Sequence, residues 1–285
     1  MIAFILSHGR VEDCPTLNML NNFHYSGDYR IVVDDNDKQL EEYKLKYKDK
    51  LIIFNKDMYL YSEDTAYAKD KLLKATPFYA RIFVDDYAKK HNVGDYLVLD
   101  DDILNLKIRY PNVEEHSLKT YNIEDFNELL NSLFAFLNEN NIYGLSFAHS
   151  GMFIGGIDSF EGVIHKRVAS NVFLFNSNRQ LKWKTIFYDD FNTCLSNGQI
   201  GKLIFTIPFI QTHVEEQGSQ LTTIKNCGMG EAYANTTQFN RSFYSVMLFP
   251  SSCNVKSVGK SENNWWPSVK QDNQFQKIIS NKFKR

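Results

Sequence analysis

An α/β fold with a mostly parallel central sheet flanked by helices, carrying a basic C-terminal extension, is what this chain predicts, on three observations. Short apolar runs recur along the sequence and give way to polar or acidic residues. Amphipathic stretches of helical length lie between them. At 285 residues and 43% hydrophobic content, the chain can bury a core large enough for one such domain. Apolar runs without alternation are typical of strands covered on both faces by helices.

The elements follow in order. Ile2-Ala3-Phe4-Ile5-Leu6 reads as a first buried strand, running into the loop Ser7-His8-Gly9-Arg10 and a helix over Pro15 to Asn21. This is the first half of a nucleotide-binding βαβ unit. Tyr29 to Val33 forms a second strand ending in Asp34-Asp35-Asn36-Asp37, and Leu51-Ile52-Ile53-Phe54 a short β-branched third. A helix is predicted from Glu63 to Lys74. Another opens on Thr76-Pro77 as N-cap and first helical residue and runs to about Lys90. Its stripe is Phe78, Ile82, Phe83 and Tyr87. Arg81 beside that stripe is either a surface ion-pair residue or a phosphate ligand.

Tyr96-Leu97-Val98-Leu99 then releases three consecutive carboxylates, Asp100-Asp101-Asp102. In open α/β sheets ligands gather beyond the carboxyl ends of the strands. Carboxylates this close stay ionised together most readily around a divalent cation or basic partners. A solvated acidic turn is the alternative. Leu104 to Tyr110 reads as a strand edge, and Asn122 opens an amphipathic helix through about Asn140. Gly144 to His149 is a further strand, after which paired Gly155-Gly156 permits close backbone approach to a ligand or makes a plain turn. Val172 to Phe175 is the next strand. Ile186-Phe187-Tyr188 runs into Asp189-Asp190, which N-cap a helix ending near Gly198. Ile204 to Phe209 leads to His213.

Composition sets the outer limits. No apolar run approaches the roughly 20 residues of a membrane span, and the first residues lack the basic start of a signal peptide, so a cytoplasmic location is expected. Cys14, Cys194, Cys227 and Cys253 are far apart, which argues against a zinc cage or a disulfide framework. The net charge of −2 divides unevenly: from Lys225 onward nine Lys/Arg oppose three Asp/Glu, a local +6 that leaves −8 for the preceding residues. Such asymmetry can bring a polyanion to an acidic site.

Taken together, the Ser7-His8-Gly9-Arg10 loop, the acids after the second strand, Asp100-Asp101-Asp102, Asp189-Asp190 and His213 resemble the donor loop, D-x-D motif, acceptor-side acid and late metal-binding His of GT-A-fold glycosyltransferases. More narrowly, I-L-S-H-G-R at the start, V-V-D-D-x-D-K-Q over Val32 to Gln39, and A-R-I-F-V-D-D-Y-A over Ala80 to Ala88 resemble the TET/JBP-associated bacteriophage DNA glycosyltransferases. The likeness covers about the first two-thirds of the chain. It implies a GT-A-like catalytic domain over 1–220, with a nucleotide-sugar half to about 110 and an acceptor half after it. Residues 221–285 would be an extension packed on that domain.

The resemblance implies a metal-dependent transferase moving glucose or arabinose from a UDP-sugar to the hydroxymethyl group of 5-hydroxymethylcytosine in phage DNA, with inversion. Transfer to a glycan, lipid or protein is the alternative. The cofactor would be Mn²⁺ or Mg²⁺, the protein a monomer or weak dimer, and its place the host cytoplasm. Asp102 would ligate the metal with His213, and Asp100 would contact metal-bound water or the ribose. Alternation along the strand turns Asp101 away. Asp34 or Asp35 would accept from the uracil. Ser7, His8, Gly9, Arg10, Arg81 and Asp101 complete the donor site, with Arg10 and Arg81 on the phosphates. Asp190 or Asp189 would be the base. Gly155, Gly156, Trp265, Trp266 and Lys270 would meet the DNA, where the target base must leave the stack.

Overall fold

The computed structural model describes residues 1–59, 77–149, 156–157, 169–214, 236–257 and 265–269. The apolar runs become strands: β1 (Ile2–Leu6), β2 (Asp28–Asp34), β3 (Leu51–Phe54) and β4 (Asp95–Asp100). Helices α1 (Pro15–Asn22), α2 (Leu40–Tyr47) and α3 (Pro77–Lys90) lie between them in the chain. Then come β5 (Ile103–Asn112), β6 (Ser117–Tyr121), α4 (Phe126–Glu139), β7 (Gly144–His149), β8 (Val172–Asn176), α5 (Asp189–Gln199) and β9 (Ile204–Val214). Helix α6 (Gln238–Leu248) and a hairpin of β10 (Cys253–Ser257) and β11 (Trp265–Val269) follow.

The main sheet has nine strands in the order β3-β2-β1-β4-β8-β7-β9-β5-β6. The first four are parallel, and only β8 and β5 run against the common direction. The expected mostly parallel sheet flanked by helices is therefore present. Alternation along each strand splits the core in two. Ala3, Ile5, Ile31, Leu97 and Leu99 pack toward α1, α2 and α4, whereas Phe4, Val32, Tyr96, Val98 and Phe173 pack toward α3, α5 and the Leu181–Phe187 segment. Both faces are covered, which is why these strands read as unbroken apolar runs.

Several boundaries differ from expectation for local reasons. β5 is not an edge: β9 flanks it on one side and the mostly exposed, polar β6 on the other. Helix α4 begins at Phe126, not Asn122, because Asp125 caps it, accepting from Glu128 N at 2.9 Å. Asn122 accepts from Lys107 Nζ instead. Tyr188, in the left-handed region (φ 48°), precedes α5, so Asp189 and Asp190 fill its first turn and are not its caps. There they complement the helix dipole. β9 continues through His213 to Val214, and its pairing with β7 jumps from Ile207 to Gln211. Pro208, which has no N–H to give a ladder, sits in that bulge. The helix expected over Glu63 to Lys74 lies outside the described residues. Among the described residues no helix is long and apolar enough to cross a membrane.

Candidate active site

Register brings several of the predicted site residues to one edge. Leu6 aligns with Val32 on one neighbour and Asp100 on the other, so β1, β2 and β4 release Ser7-His8, Asp34 and Asp100-Asp101-Asp102 side by side. The first turn of α1 stitches the triplet in place. Thr16 Oγ1 donates to Asp100 O (2.6 Å) and accepts from Ile103 N (2.9 Å), and Thr16 N donates to Asp101 O (3.3 Å).

Three ionic clusters organise this edge. In the first, His8 Nδ1 lies 2.9 Å from Asp34 Oδ2 and 3.1 Å from Asp37 Oδ2, Gly9 N donates to Asp37 (2.8 Å), and Lys56 Nζ lies 3.0 Å from Asp34 Oδ1. Burial works against charging His8, but the Asp34 hydrogen bond and the Asp37 charge raise its pKa. Burial likewise opposes ionisation of Asp34, yet His8 and Lys56 hold it at about 2. His8, Asp34 and Asp37 are the one group of three described side chains whose ligand atoms approach within 4.8 Å of one another and could hold a metal ion. Lys56, paired with Asp34, places a positive charge beside the same group.

The second cluster hangs on Asp101. Ser7 Oγ donates to Asp101 Oδ2 (2.8 Å) and also bonds the Tyr43 hydroxyl, which accepts from Arg10 N (2.9 Å). Arg10 Nε stands 3.9 Å from Asp101 Oδ1. Burial pushes Asp101 up to about 6, against the pull of Arg10 and Ser7. Asp101 does project away from Asp100, but into the Ser7–Arg10 loop, which it pins down from within.

The third cluster ties two of the predicted donor-site residues into one ion-pair network. Arg81, expected at the diphosphate, is only 3% exposed. Its Nη2 meets Asp100 Oδ1 and Oδ2 at 2.9 and 3.2 Å, and its Nη1 donates to Asp189. Asp100 also accepts from Asn171 Nδ2 at 3.0 Å. Both Asp100 oxygens thus accept from within the protein, Oδ1 from Arg81 and Oδ2 from Arg81 and Asn171. Burial pushes Asp189 up, countered by Arg81, so Asp189 is an ion-pair partner before it is a base.

Two carboxylates remain uncommitted. Asp102 Oδ1 is buried and has no hydrogen-bond partner. Burial, then repulsion from Asp100 and Asp101, lifts this carboxyl to about 7. A buried acceptor left unsatisfied is costly, and a cation would relieve it. The β5–β9 register sets Asn105 opposite His213 and Ile103 opposite Val214, so His213 flanks the strand that starts directly after Asp102. Burial and the charges of Arg109 and Lys107 lower the His213 pKa, favouring the neutral imidazole that can act as a ligand. Asp100, Asp102 and His213 do not form a three-ligand group by the 4.8 Å measure met by His8, Asp34 and Asp37. Asp190 is the second uncommitted acid. Among the described residues it accepts only from its neighbour Phe191 N (2.7 Å), and burial and the adjacent Asp189 raise its pKa.

The remaining predicted residues fall as follows. Asp34 is 6% exposed and saturated by His8, Lys56 and Asn36 N, which leaves half-buried Asp35 as the freer acceptor of that pair. Gly156 has φ +69°, where a side chain would be strained. The Trp265 carbonyl accepts from Ser242 Oγ (2.8 Å), and its ring meets Phe239 edge-on. Trp266 is 46% exposed and sets its ring against Tyr188, the residue before Asp189. Gly155 and Lys270 lie outside the described residues. Sequence reading passed over Asp37, Tyr43, Lys56, Asn171 and His149. Asp37 stands within the quoted acidic run, but nothing local marks the others. His149, opposite Thr212 on β9, has its pKa lowered by burial and by His213.

No curated protein sequence matches the chain. Solved structures similar to it include glucosyl-3-phosphoglycerate synthase from Mycobacterium tuberculosis in complex with Mn²⁺, UDP and phosphoglyceric acid (TM-score 0.45, 6% identity, 95% of this chain and 86% of that one). The same enzyme with Mg²⁺ and UDP is also similar (TM-score 0.42, 7% identity, 95% and 87%). The model of the TET-associated glycosyltransferase family matches residues 1–220. This chain, a glycosyltransferase, belongs to the TET-associated glycosyltransferase family.

Proposed function

We propose that the protein transfers glucose or arabinose from a UDP-sugar to the hydroxymethyl group of 5-hydroxymethylcytosine in DNA, with inversion at the anomeric carbon. The observation that carries this reading is the division of labour at the sheet edge. Among the described residues one acid, Asp102, has a buried oxygen without a hydrogen-bond partner, and another, Asp190, makes no ion pair and is raised in pKa. Asp102 and His213 would hold Mn²⁺ or Mg²⁺, with Asp100 braced behind by Arg81. Bound there, the cation supplies Lewis-acid neutralisation of the charge that develops on the departing diphosphate.

The chain's own residues do the rest. Ser7, Tyr43 and Asp101 hold the Ser7–Arg10 loop, whose backbone and Arg10 face the donor. Asp35 accepts from the base of the nucleotide. Asp190 takes the proton of the acceptor hydroxyl as it attacks, and its raised pKa suits a base working near neutrality. Trp266, 46% exposed, sets its ring against Tyr188, the residue before Asp189. A base withdrawn from the DNA stack could lie on it. The net +6 from Lys225 onward would attract the phosphate backbone.

The test is a donor panel with oligonucleotides containing cytosine or 5-hydroxymethylcytosine, digested to nucleosides and analysed by mass spectrometry. The expected result is a hexose or pentose added to the modified base alone, in a reaction stopped by a chelator. Unchanged DNA alongside a labelled glycan, lipid or protein would overturn the acceptor assignment.

A further inference from the structure

The Arg81 guanidinium joins two carboxylates that the sequence keeps far apart. Asp100 is the last residue of β4 and Asp189 the first of α5, and a single buried side chain from α3 meets both. Its planar fork presents one nitrogen to each acid, a geometry that a lysine ammonium cannot reproduce. The cation lies 5.2 and 5.4 Å from the ring centroids of Phe173 and Trp183, which wall it in. Arg81 Nε is buried without a partner, so the side chain is placed for the two carboxylates at the expense of its own third donor.

We infer that Arg81 is a positioning residue of the transfer reaction, one that fixes the separation between the metal-side triplet and the base. This rests on the reading of Asp102 and Asp190 given above. Through Asp100, Arg81 sets the turn that presents Asp102. Through Asp189, it sets the first turn of α5, on which Asp190 is the next residue. Asp100 is also tied to Asn171, so the donor side of the clamp is held twice, whereas the described ties of the Asp189 carboxylate run to Arg81 and its own backbone. Losing the clamp therefore frees the acceptor side first. Attack geometry then degrades while the donor pocket, built from β1 and β2, stays in place.

The experiment uses the full chain, UDP-sugar donors and hydroxymethylated DNA, with folding checked by circular dichroism. Arg81→Lys keeps the charge but spans only one acid. The expected result is a fall in kcat of about 10–100-fold, the range seen when a supporting partner of a site is lost, with the donor KM within about threefold of wild type. Asp189→Leu breaks the same tie from the other end and should match that profile. Free guanidinium should partly restore kcat to Arg81→Ala but not to Arg81→Ala combined with Asp190→Asn. Wild-type kcat in Arg81→Lys, a loss confined to donor KM, or a kcat loss that only follows the unfolded fraction would overturn the inference. Should Asp190→Asn itself turn over normally, the functional reading fails instead; an inactive Asp190→Asn beside a fully active Arg81→Lys sinks this inference alone.

Discussion

Asp102→Asn separates the cost of this site from its use. The Asp102 carboxyl is lifted from 3.8 to about 7 by burial and by its two acidic neighbours. At about 1.36 kcal/mol per pKa unit this corresponds to about 4 kcal/mol against ionisation in the folded state. The carboxyl is partly solvated, so screening reduces what is measurable to about 1–3 kcal/mol. The sign follows from linkage. Because the folded-state pKa lies above the unfolded one, the penalty is absent below pH 3.8, grows through about 7, and is complete above it. Asparagine removes the charge and keeps the shape. Urea unfolding in a chelator should therefore find Asp102→Asn more stable than wild type at pH 8, with the gap closing as pH falls toward 4. With Mn²⁺ and UDP the order should reverse, since only the wild type offers a carboxylate to the cation. Equal stability at both pH values, or a variant that gains as much from Mn²⁺ as wild type does, would refute the reasoning.

Other consequences are equally direct. Asp190→Asn should fold normally and lower kcat by about 10²–10⁴-fold. If Asp190 is the base proposed above, it acts in its ionised form, and since its pKa is raised the wild-type rate should climb with pH across a limb displaced above the usual carboxylate range. Lys56→Met removes a buried counter-charge from Asp34 and should cost about 3–5 kcal/mol, read as a lower denaturant midpoint. Asp34 contributes stability above pH 3.8 that is lost as pH falls through about 2, so weakening its partners should move the acid unfolding limb upward. Gly144→Ala places a methyl 2.7 Å from the Phe175 ring and should cost about 1–3 kcal/mol, measured by thermal melting.

How far the sequence alone reached depends on the range of the forces involved. Strand and helix identity comes from periodicity over a few residues, so β1, β2, β3, β4 and the stripe on α4 were legible, as was the gathering of acids beyond β2 and β4. β6 and α2 escaped because they bury little: β6 is a polar edge, and α2 inserts only Tyr43 and Tyr47. Which acid does what was decided by tertiary contacts. Asp100, Asp101 and Asp102 are chemically identical neighbours, yet Arg81 claims the first, the Ser7–Arg10 loop the second, and the third is left with a bare oxygen. Those partners lie between 19 and 94 residues away in the chain. Their arrival depends on strand order and register, properties of the whole sheet that no local spacing encodes. Local chemistry determined that carboxylates would crowd this edge; only the packed fold determined which of them was left without a partner among the described residues.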